Sequence, residues 1–72
     1  MSESFEVLDV VALLSDLPDQ HLARGQVGTI VERLAPDVFE VEFSDDQGRA
    51  YAILPLRAGQ LMRLHHRPVQ AA

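Results

Sequence analysis

The 72-residue chain contains no cysteine, no tryptophan and no lysine. Without cysteine there is neither a disulfide framework nor a thiolate zinc site to staple a small domain. Without lysine the positive charge rests on six arginines, set against eleven Asp and Glu for a formal net charge of -5. That balance works against a nucleic-acid binder, because phosphate meets a repulsive field. The longest unbroken apolar run, Val10 to Leu14, is far below the ~20 residues of a membrane helix. No basic segment followed by an apolar one marks a secretory signal, so a cytoplasmic location is expected. What is present is globular composition, 47% hydrophobic and 24% charged, in a length that suits one core.

The charges are segregated. All eleven acids lie in residues 1–46 beside Arg24 and Arg33, which gives that stretch −9, whereas residues 47–72 hold four arginines and no acid, +4. The two halves are expected to pair across strands, with Arg63 and Arg67 offsetting Glu3, Glu6 or Asp9. The alternative is two separate patches that orient a partner. Local pairing leaves Asp16, Asp19, Asp37, Glu40, Glu42, Asp45 and Asp46 as a nearly all-negative surface, which predicts a basic partner.

Short β-branched runs bounded by turn residues predict five strands. Asp9–Leu14 is apolar on both faces, as in a strand covered on both sides. Ser15–Gly25 is a long loop anchored by Leu17 and Leu22. Gln26–Leu34 follows, with Gly28 marking a bulge or a close backbone approach; a bulge there would turn Val27 and Ile30 inward together. After a turn at Ala35-Pro36-Asp37, Val38–Ser44 alternates strictly, with Phe39, Val41 and Phe43 inward and Glu40 and Glu42 outward. Asp45–Gly48 makes a hairpin to a fourth strand, Arg49–Leu54, which Pro55 ends. A 3₁₀ turn in Leu56–Gln60 precedes a fifth strand, Leu61–His65. The expected fold is all-β, a small five-stranded SH3-like, partly open barrel. Residues 1–6 form a flexible acidic leader apart from Phe5, 7–66 the single domain, and 67–72 a frayed tail.

The blocks Leu8–Leu14, Asp16-Leu17-Pro18, Gly25–Glu32, Glu40–Phe43 and Gln60-Leu61 together resemble the bacterial domain-of-unknown-function family forty-nine twenty-six. The similarity runs from about Phe5 to Leu64. The resemblance implies a small stand-alone protein acting beside a neighbouring gene product, as an antitoxin or immunity partner does. Gly25–Val31 is also similar to the glycine-containing strand of KOW barrels, but the Lys and Arg expected around that strand are missing.

No catalytic motif is present. Glu40 and Glu42, about 7 Å apart along one strand, lie on a wet face, and neither Ser15 nor Ser44 sits in a nucleophile elbow. His21, His65 and His66 lack metal-ligand spacing, since the adjacent pair points to opposite faces of a strand. No enzyme activity, metal or cofactor is expected. The reading is a protein-binding module whose contact residues are Asp16, Asp19, His21 and Arg24 of the first loop, Glu40 and Glu42, and Tyr51. The alternatives are a KOW-like nucleic-acid binder using Arg49, Arg57, Arg63 and Arg67, or an accessory subunit of a larger enzyme. Homo-oligomer formation stays open.

Overall fold

The computed structural model describes residues 5–65. Expectations placed on Met1–Ser4, His66, Arg67 and the tail lie outside the described residues. Five strands appear in the expected order: β1 (Val10–Leu13), β2 (Val27–Ala35), β3 (Val38–Ser44), β4 (Ala50–Arg57) and β5 (Leu61–Arg63). All pairings are antiparallel, in the spatial order β4-β3-β2-β1-β5.

Inward side chains from every strand converge on one core. Val11 and Leu13 come from β1, Ile30 from β2, Phe39, Val41 and Phe43 from β3, Leu56 from β4 and Leu61 from β5. The first loop contributes Leu22, with Leu17 packed against it. Phe5, the residue set apart from the expected flexible leader, is also core, at 2% exposed. Its ring meets Phe39 at 5.6 Å and lies under the Arg63 guanidinium at 5.4 Å. Its carbonyl accepts from Arg33 Nη2 at 3.1 Å. Asp9 Oδ2 anchors the same segment, accepting from the Glu6 N–H at 2.8 Å and from Arg63 Nε at 3.1 Å.

The sheet is not closed into a barrel, because β4 and β5 remain its two edges. Open edges are a hazard for aggregation, and each is managed locally. β5 has only three residues. On β4, Pro55 lies within the strand opposite Glu40 instead of ending it. Proline is tolerated on an edge because its missing N–H can face solvent. Two residues on, the Arg57 N–H is taken by Gln60 Oε1 at 2.8 Å, so little of that end is left to template another strand.

Gly28 marks a close approach, and the bulges are elsewhere. A Cβ there would lie 2.8 Å from Val41 Cγ1 and 2.9 Å from the Glu42 carbonyl oxygen. The β2–β3 register shifts between Ile30 and Glu32 and again between Arg33 and Ala35. Gly28 and Ile30 therefore point inward while Val27 is exposed, contrary to the expectation that Val27 and Ile30 turn in together.

The β3–β4 hairpin is organised by Asp45, whose Oδ1 accepts from the N–H groups of Gln47 and Arg49, both at 2.9 Å. Its Oδ2 lies 3.5 Å from Arg49 Nε. Replacing Asp45 by Ala is expected to lower stability by about 1 kcal/mol, since two turn amides lose their acceptor at an exposed site. The neighbouring Asp46→Ala should stay within about 0.5 kcal/mol of the parent. Urea titrations of the two variants check the contrast.

Candidate interaction surface

The first loop is more ordered than its composition suggests. Pro18–Gln20 form a 3₁₀ turn with proline at its start, and Leu17 and Leu22 bridge across it through backbone hydrogen bonds of 2.8 and 3.1 Å. His21 closes the turn with φ 59, a left-handed conformation uncommon for a residue with a side chain. Gly25 takes φ +91 where the chain leaves the loop. Asp16 is used structurally, since its Oδ1 accepts from the Arg24 N–H at 2.8 Å. Asp19, His21 and the Arg24 side chain face solvent.

Tyr51 belongs with this loop. The β3–β4 register passes from Phe43↔Ala52 to Ser44↔Ala50, leaving Tyr51 as the bulged residue. It is 49% exposed, with its ring 6.4 Å from Phe43. Its hydroxyl accepts from Gln26 Nε2 at 2.8 Å, and Gln26 Oε1 accepts from the Ala23 N–H at 2.6 Å. Gln26 thus ties the end of the loop to β4. The sequence reading missed this residue, although a long amide side chain directly after a turn glycine is a suitable clamp.

Glu40 and Glu42 occupy a different place, the outer face of β3. Glu40 is directly opposite Glu32 on β2 and Pro55 on β4, and Glu42 lies between Thr29 and Ile53. Glu32 was not among the expected contact residues. No hydrogen bond or ion pair among the described residues joins these glutamates to the first loop. The expected contact set is therefore two groups, a loop end around Tyr51 and an acidic band on the sheet.

The pairing of opposite charges holds where it can be seen. Arg63 Nη2 lies 3.0 Å from Asp9 Oδ2, both side chains about a quarter exposed, as the adjacency of β5 and β1 requires. Of the acids expected on the negative surface, Asp16 and Asp45 accept backbone hydrogen bonds, and Asp45 also lies beside the Arg49 guanidinium. Among the described residues no three His, Asp or Glu side chains are grouped to hold a metal ion, and no helix is long and apolar enough to cross a membrane.

No curated protein and no solved structure matches the chain. Residues 7–63 match the model of a domain of unknown function, and the chain accordingly belongs to that family, DUF4926.

Proposed function

We propose that this chain is a non-enzymatic protein-binding module whose partner is a basic protein encoded beside it, in the manner of an antitoxin or immunity protein. The observation that carries the reading is the band formed by Glu32, Glu40 and Glu42, which have no ion-pair partner among the described residues. Like charges directly opposite on neighbouring strands destabilise a sheet, and a cationic partner would relieve that cost while steering its own approach. The fold reading is an SH3-like, partly open barrel. It is supported by the loop folded over the core after β1 and by the 3₁₀ turn at Ala58–Gln60 that leads into β5.

The arginines fit a nucleic-acid interface less well. Arg49 and Arg57 lie at opposite ends of β4, while Arg63 is engaged with Asp9 and Phe5 on the far side of the sheet. Co-expression with the product of the adjacent open reading frame tests the proposal. A complex that co-elutes at low salt and weakens as salt is raised is the expected result. Absence of a complex at low and moderate salt, or retention of RNA by the chain with a steep dependence on salt, would overturn it.

A further inference from the structure

The outward side of β1 is apolar along its whole length. In β1, Val11 and Leu13 enter the core, so the alternate positions Val10 and Ala12 face outward. Ala12 is paired with Val27 on β2 and Met62 on β5. It is buried, at 5% exposed, yet outside the core cluster, whereas its neighbours Val27 and Met62 are each 47% exposed. Leu14 follows at one end of β1 and Leu8 lies in the turn that leads into the other, both exposed.

Leu8 is the informative member. It is 74% exposed and has φ 80. The Asp9 N–H donates to the Glu6 carbonyl at 3.0 Å, which makes Leu8 the third residue of a tight turn. A positive φ at that position is the geometry of a type II turn, which favours glycine. A large aliphatic side chain held there is strained and gains little burial within the monomer. Solvent exposure and backbone strain coincide at one end of an apolar face.

This face adjoins the acidic band. One cross-strand row runs from Val10 through Thr29 and Glu42 to Ile53, and Glu32 and Glu40 follow alongside. Building on the reading of a protein-binding module, we propose that the outer face of β5-β1-β2-β3 docks a basic amphipathic segment of the partner. Its apolar side chains cover Leu8, Val10, Val27 and Met62, and its Lys or Arg side chains reach Glu32, Glu40 and Glu42. Charge complementarity selects this occupant. Nucleic acid would meet the carboxylates, and a second copy would bring another acidic band to the same interface. Apolar anchors supply affinity in such contacts, and the flanking charges supply orientation.

The test uses isotope-labelled chain and three synthetic helical peptides. The first is an amphipathic leucine–lysine peptide, the second carries serine for leucine, and the third glutamate for lysine. The first should shift the amide resonances of Leu8, Val10, Val27, Glu42 and Met62, and the other two should bind about tenfold or more weakly. Met62→Glu and the double change Glu40→Gln with Glu42→Gln should each weaken the first peptide about tenfold. Leu8→Gly should weaken it too while melting no lower than the parent, because glycine relaxes the turn. Equal binding of all three peptides, no binding, shifts confined to the first loop, or a self-associated dimer using this face would overturn the proposal. If the neighbour-encoded protein forms a complex while the peptide maps elsewhere, the protein-binding reading stands and this face is discarded.

Discussion

Replacing Phe5 by Ala is expected to remove about 3–5 kcal/mol of folding stability, the range for deleting a buried aromatic ring. For a domain of this size that corresponds to a fall in Tm of roughly 15 °C or more. The ring is fully enclosed although only a short stretch of described chain precedes β1. It fills the end of the core between Phe39 and the Arg63 guanidinium. Its loss leaves a cavity there and removes the surface over which Arg63 lies. Phe5→Leu keeps most of the buried volume but loses the ring contacts, so a cost of about 1 kcal/mol is expected. Thermal and urea unfolding followed by circular dichroism distinguishes the two variants. A Phe5→Ala protein that melts within a degree or two of the parent would show that the segment contributes nothing to the core.

Gly28→Ala should be the second severe substitution, although alanine usually stabilises a strand relative to glycine by about 0.5–1 kcal/mol. The added Cβ would stand 2.8 Å from Val41 Cγ1, 2.9 Å from the Glu42 carbonyl oxygen and 2.9 Å from Phe43 Cδ1. Side-chain ends can yield, but the Glu42 carbonyl belongs to the β3 backbone and moves only if the β2–β3 pairing moves. Overpacking of this kind costs about 1–3 kcal/mol, so the net sign is destabilising. Valine has more β-propensity than alanine and still worse clearance. Gly28→Val unfolding at lower urea than Gly28→Ala would therefore identify sterics as the cause. The reverse order would refute the account.

The legible and illegible parts of this fold separate along physical lines. β3 could be read residue by residue, because strict alternation of Phe39, Val41 and Phe43 with Glu40 and Glu42 needs only local information. β2 could not. Continuing the hairpin from Ala35↔Val38 without interruption would set Arg33 opposite Glu40, a favourable pair. The bulge between Arg33 and Ala35 instead brings Glu32 opposite Glu40 and Arg33 opposite Phe39. Arg33 there stacks over the Phe39 ring at 5.0 Å and reaches the Phe5 carbonyl. Those rewards are long-range, and no pattern within the strand announces them. Pro55 was misjudged for a related reason, since its tolerance depends on β4 being an edge, a property of the whole topology.

The site shows the same division. Outward glutamates on β3 follow from alternation, and Tyr51 from its type. The partnership of Tyr51 with Gln26 depends on a bulge that sequence does not display. The apolar composition of β1 was visible and suggested a strand covered on both sides. In the structure one of those sides is the core, and on the other Ala12 is buried beneath its exposed neighbours Val27 and Met62.

The contact between Asp9 and Arg63 spans 54 positions of the chain, and β1 sits between β2 and the last strand. During synthesis the β2–β3–β4 meander can form from neighbours in sequence. β1, by contrast, precedes them in the chain and waits for its second ladder partner, β5, from the far end of the described residues. Until then the apolar edge of β1 and the place under the Arg63 guanidinium stay unfilled. A chain truncated before Leu61 should therefore remain sensitive to protease, while one that extends past Arg63 should be resistant. Completion of the fold thereby depends on pairing its first strand with its last.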